Sequence, residues 1–204
     1  KKQRLTKEAN IRNAEESDLT EVATMINEMY QNYNFFHPLR TEDLLDYTRR
    51  MLGFDLHNMF VFQDDQGIKA CLGYWDYNKV RKYIVQKFNW RLKAQSFLLT
   101  LAGLFAEMPH IPKPGEPLLS YNLTTLAFKD TEGMVDLIKH VINIALKNKI
   151  NFLHIPMDLE SSAVEVLSRF RHARVGLQFF VKPMSEKKLP RLGGNKLYID
   201  VTEI

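Results

Sequence analysis

A chain of 204 residues that is 45% hydrophobic can bury a full core, and its length suits one domain, or one domain with an insertion. A net charge of +4 with 25% charged residues describes an ordinary globular surface, too mildly and too evenly basic for a nucleic-acid footprint. The single Cys71 has no internal disulfide partner, no stretch approaches the roughly 18 apolar residues of a membrane span, and the charged start KKQRLTKEAN has no apolar run behind it, so a cytoplasmic location is expected.

In chain order, residues 1–10 read as a tail or linker and Ile11-Arg12-Asn13-Ala14 as a short strand. Ser17 or Asp18 then caps a helix that carries Leu19, Val22, Ile26, Met29 and Tyr30 at helical spacing. Phe35-Phe36-His37-Pro38-Leu39 breaks it, and Thr41-Glu42-Asp43 opens a second helix that ends at Gly53. A hairpin follows, with a strand over 58–63, a turn at Asp64-Asp65-Gln66-Gly67 and a return strand over 68–77. Lys79 to Asn89 is expected to prolong that strand or to begin a helix, and Trp90 to Met108 is apolar at helical spacing. Pro109, Pro112, Pro114 and Pro117 force an extended loop, so the stretch 83–117 reads as an insertion between two strands of one sheet.

The stretch 118–128 reads as a long central strand and Gly133 to Lys147 as a helix that buries Met134, Leu137, Ile138, Val141, Ile142 and Ala145. Asn151 to Pro156 is near-continuously apolar, as expected for a parallel strand covered on both faces. A short helix over 161–170, with Ser161 as cap, and two last strands over 174–182 and 196–201 complete the chain. An antiparallel front half, one β–α–β crossover and a return to antiparallel strands make an α/β (α+β) fold. Its sheet is mixed and mostly antiparallel, with helices flanking it and a helical insertion before the central strand.

The loop Lys129-Asp130-Thr131-Glu132-Gly133 sits where a strand feeds a helix, and a helix start offers unpaired N–H groups to an anion. It holds one glycine and two acids where a phosphate cradle wants glycines and bases. A helix capped by Asp130 or Thr131 with an acidic first turn explains the same residues without a ligand. The six histidines are dispersed with no pair at ligand spacing, so no metal site is expected. Aromatic residues Trp75, Tyr77, Tyr83, Phe88 and Trp90, beside Lys79, Arg81, Lys82, Lys87 and Arg91, read first as self-packing, then as a substrate groove or single-strand nucleic-acid surface. Tyr121, on the central strand, and His154, on the next one, are the candidate bases for an acceptor group; His154 in its apolar setting is also an ordinary core histidine.

The order of elements resembles the GCN5-related N-acetyltransferase (GNAT) family over nearly the whole chain, residues 11–204. IRNAEESDLTEVATMINEMY resembles the family's opening strand and helix, MFVFQDDQGIKACLGYWDY its following hairpin, and NKLYIDVTEI its last strand. The resemblance implies that the central strand splays from its parallel neighbour and that acetyl-CoA or another acyl-CoA enters the gap. It places Leu126, Ala127 and Phe128 against pantetheine, and Thr131, Gly133 and Met134 at the pyrophosphate. Gly133 matches one glycine of the family's Arg/Gln-x-x-Gly-x-Gly/Ala loop; its Arg/Gln and second glycine have no match. Carboxylates at about 4–6 Å from a pyrophosphate would each oppose it by about a few kcal/mol at an effective dielectric near 20. The family's thiolate-protonating tyrosine also has no match in DLESSAVEVLSRFRHARVGLQFF, where Phe170 stands near it; Ser168 and Tyr198 are the stand-ins.

The expected function is therefore an acyl-CoA-dependent N-acyltransferase of unspecified acceptor, a small-molecule or peptide amine. Its catalytic residue is unassigned among Tyr121, His154 and Tyr198. The alternative is a catalytically silent GNAT-like domain with a binding or structural role. A homodimer or a tandem GNAT partner domain is the expected assembly.

Overall fold

The computed structural model describes residues 2–6, 8–88, 111–177 and 196–199. Five strands form one sheet in the order β1 (Ile11–Asn13), β2 (Met59–Asp64), β3 (Gly67–Trp75), β6 (Ser120–Phe128) and β7 (Phe152–His154). Neighbours run antiparallel except β6 and β7, which are parallel. The sequence reading of a mixed, mostly antiparallel sheet flanked by helices holds.

Strand alternation sorts side chains to two faces. Met59, Val61 and Cys71 meet helices α1 (Leu19–Tyr30) and α2 (Thr41–Arg50) on one face, where Val22, Ile26 and Leu44 are buried. Phe60, Phe62, Leu72 and Tyr74 meet helix α3 (Thr131–Lys147) on the other, through Met134, Leu137 and Val141. Helix α4 (Ala163–Ser168) adds Ala163 and Val166 to that second core. Asp18 precedes α1, but its carboxylate serves the turn before the helix: it accepts from Glu15 N–H at 2.8 Å and from Arg12 Nη2 at 2.8 Å.

Several segments depart from the sequence reading. After β3 the chain neither extends the strand nor starts an α-helix; a single helical turn at Tyr77–Lys79 leads to β4 (Tyr83–Ile84), which pairs with β5 (Pro117–Leu118). Asp76 drives that turn, because its carboxylate accepts from Asn78 N–H at 3.3 Å. The helix expected over 90–108 lies outside the described residues. Strand β7 is not covered on both faces: Phe152 is 51% exposed, because among the described residues β7 is an edge strand paired only to β6. Residues 174–177 form no strand and 178–195 lie outside the description, while 196–199 contribute one parallel bridge, Leu197 to Asn34. Residues 2–6 lie along α3, with Gln3 and Asn143 exchanging bonds of 2.7 and 3.0 Å.

Candidate functional site

The central feature is the way β6 leaves its parallel neighbour. The two strands pair only over Ser120–Phe152, Tyr121–Leu153 and Asn122–His154; β6 then runs on to Phe128 while the other chain turns away through Ile155, Pro156 and Met157. Beyond that point β6 carries a bulge. Its register against β3 shifts between Cys71 and Gly73, and Thr125 sits in the left-handed region at φ 48°. The extra residue reverses face parity: Tyr121 and Leu123 belong to the α3 core before the bulge, and Leu126 belongs to it after, with Ala127 now facing α1. Gly73 makes room for the bulge, since a Cβ there would lie 2.6 Å from Thr125 Oγ1 and 3.0 Å from the Phe54 ring. The Cys71 thiol donates to the Thr125 carbonyl at 3.2 Å. Among the described residues, Thr125 Oγ1 is a buried side-chain atom with no hydrogen-bond partner.

The wedge between the diverging chains is lined by Ile26, Tyr30, Leu126, Met157 and Tyr198, and encloses about 40 Å³. Small-molecule sites usually enclose about 300–1,000 Å³, so this cleft holds a few waters and no acyl chain as it stands. Tyr30 closes part of it by donating its hydroxyl to the Leu126 carbonyl at 2.8 Å.

At the start of α3 two of the orphan N–H groups, those of Glu132 and Gly133, are already used. Asp130 is the N-cap, and its carboxylate accepts from Glu132 N–H at 3.1 Å and Gly133 N–H at 3.2 Å. Gly133 is a packing glycine, because a Cβ there would stand 2.6 Å from the Phe62 ring. Met134 is fully buried beneath the sheet. Cations flank the helix start nevertheless. Lys129 pairs with Glu28 at 2.7 Å, and Arg169, reached from the end of α4, pairs with Glu132. These residues do not fit a pyrophosphate held on backbone N–H groups, because an internal carboxylate fills that place.

The three catalytic candidates separate in space. Tyr121 lies in the α3 core, stacked on Tyr74 at 4.6 Å with its hydroxyl accepting from Asn148 Nδ2 at 3.0 Å, and burial pushes its phenol up. Tyr198 lines the cleft, edge-on to Tyr30 at 4.8 Å and to Phe36 at 4.9 Å. His154 stands where the strands part, with Nδ1 3.2 Å from Asn122 Oδ1. An amide oxygen only accepts, so the contact places the proton on Nδ1 and leaves Nε2 with its lone pair. Partial burial holds this imidazole below its ordinary value. Of the expected cofactor residues, Leu126 lines the cleft, Ala127 faces α1 and Phe128 closes the strand. Trp75 packs against its own domain, as the first reading of this aromatic run expects: it is 8% exposed and donates from Nε1 to the Leu52 carbonyl at 3.0 Å.

The sequence matches no protein-family profile and no curated protein. Solved structures do match. A protein of Agrobacterium tumefaciens assigned as an acetyltransferase superposes with a TM-score of 0.50 at 11% identity, covering 84% of this chain and 99% of its own. A transcriptional regulator of Bacillus halodurans gives 0.51 at 11% identity, with 84% and 98% covered. The chain has the GNAT fold. At these identities the likeness is one of fold, and the two proteins' different descriptions leave the activity of this GNAT-fold chain to its own residues. No helix among the described residues is long and apolar enough to cross a membrane.

Sequence reasoning missed Tyr30 and Arg169. Tyr30 read as one more apolar position of a helix stripe; nothing local marks the carbonyl it caps 96 positions away. Arg169 follows the short helix expected over 161–170, and only the packing of α4 against α3 brings it to Glu132. Asp130 was legible as a cap, from an Asp placed just before an apolar periodic run.

Proposed function

We propose that this GNAT domain is an acyl-CoA-dependent N-acyltransferase that passes an acyl group to an amine, using a non-standard site for the cofactor's phosphates. The parting of β6 from β7 after Asn122 and His154, beside the bulge at Thr125, carries the reading. Among the described residues it leaves β6 beyond Asn122 with no partner strand on that side, an edge of the kind that takes up an extended ligand with amide groups. With the Glu132 and Gly133 N–H groups committed to Asp130, Lys129 and Arg169 are the groups that would meet phosphate charge, once released from Glu28 and Glu132. His154 is the proton acceptor this reading favours, because its Nε2 lone pair is free of the Asn122 contact and the ring stays neutral at pH 7. When bound, an acyl-CoA would supply the activated acyl group.

A second reading, a catalytically silent domain with a binding or structural role, is favoured by Asp130 filling the anion position itself. Calorimetric titration with acetyl-CoA separates the two. Saturable binding that weakens several-fold in Arg169→Ala and in rising salt supports the enzyme. No heat at millimolar acetyl-CoA sinks that reading and leaves the silent domain.

A further inference from the structure

The cleft is shut by the molecule's own groups, and the closing segment is tied to both banks. On the side of the loop after α1, Asn34 N–H donates to the Lys196 carbonyl at 2.8 Å and Tyr198 N–H donates to the Asn34 carbonyl at 3.0 Å. On the side of the turn after β7, Leu197 N–H donates to the Asp158 carboxylate at 2.9 Å. Asp158 also accepts from Glu160 N–H at 2.8 Å, and these backbone donors hold its carboxyl below the usual range. Between the banks the Tyr198 ring rests on Tyr30, whose hydroxyl holds the Leu126 carbonyl at 2.8 Å.

We propose that Tyr30 and residues 196–199 form a latch that keeps the cleft closed until a ligand displaces it. The inference rests on the acyl-CoA reading of the same cleft. Its physical basis is that the walls of the wedge bond to each other instead of to a ligand. Tyr198 and Ile199 line a space of about 40 Å³, so an acyl chain enters only if they move. Among the described residues the strap meets the loop after α1 through one parallel bridge and the turn after β7 through the Asp158 carboxylate. A closed majority state lowers apparent affinity by the fraction that is open, so loosening the latch tightens binding.

Two variants test this in the full chain, each first shown to be folded by circular dichroism. Tyr30→Phe removes the hydroxyl bond to Leu126, and Asp158→Ala removes the anchor of Leu197. Both are expected to bind acetyl-CoA about 3–10-fold more tightly than the parent in calorimetry, the size of one lost hydrogen bond. Saturating acetyl-CoA is expected to speed hydrogen exchange at the Leu197 and Tyr198 amides of the parent. Parent binding with unchanged or weaker affinity in both variants overturns the latch alone, as does slower exchange at those amides. No binding by the parent or by either variant removes the acyl-CoA reading and the latch with it.

Discussion

Replacing Gly133 with Ala opposes two effects whose sizes the structure sets. In the first turn of α3, alanine is favoured over glycine by about 0.5–1 kcal/mol through backbone entropy. Against this, the new Cβ would lie 2.6, 2.9 and 3.0 Å from three atoms of the Phe62 ring, where ordinary carbon contacts are about 3.5–4.0 Å. Phe62 is 2% exposed in the core between sheet and α3, so the ring has no solvent to retreat into. Overpacking costs about 1–3 kcal/mol, and three contacts this short against a ring with no room to move put it at about 2–3 kcal/mol, which leaves a net loss of about 1–2.5 kcal/mol. For a chain of this size that lowers the melting temperature by about 2–10 °C. Thermal unfolding followed by circular dichroism measures it, and Phe62→Leu combined with Gly133→Ala should be less destabilised than the two single losses added together. A melting temperature equal to or above the parent's would refute the packing account and return Gly133 to a purely ligand-facing role.

Two further predictions concern titratable groups. Cys71 is fully buried and burial pushes its thiol up to about 12, so a thiol reagent at pH 8 should label it about 1,000-fold more slowly in the native protein than in denaturant; equal rates would show that the β3–β6 ladder opens there. The Asp18 carboxyl is held below its ordinary value, first by its hydrogen bond from Arg12. A lowered folded value adds stability that is present above the unfolded value of about 4 and is lost as pH falls through the folded one. Urea midpoints should therefore drop below about pH 4 more steeply in the parent than in Asp18→Asn, and parallel curves would show that the pair contributes nothing.

Much of the fold could be read along the chain because its elements are locally specified. The apolar runs and intervening turn of the 58–77 hairpin and the helical stripes of α1 and α3 each depend on neighbours a few positions apart, and the structure reproduces them. The Asp130 cap is local in the same sense, since donor and acceptor lie within three residues. Other features depend on contacts between distant segments. The bulge at Thr125 breaks no sequence pattern, because Leu123, Leu126 and Ala127 are apolar whichever face they take; only pairing with β3 decides it. Periodicity says that β7 is a strand but not how many neighbours it has, and an edge position exposes Phe152. Whether a helix start is open to an anion, and whether a cleft is open to a chain, is settled by which side chains arrive from elsewhere: Arg169 from α4, Tyr30 from α1 and Tyr198 from the far end of the sequence. Local hydrogen-bonding rules determined the scaffold, and the long-range packing of side chains decided what its central cleft can admit.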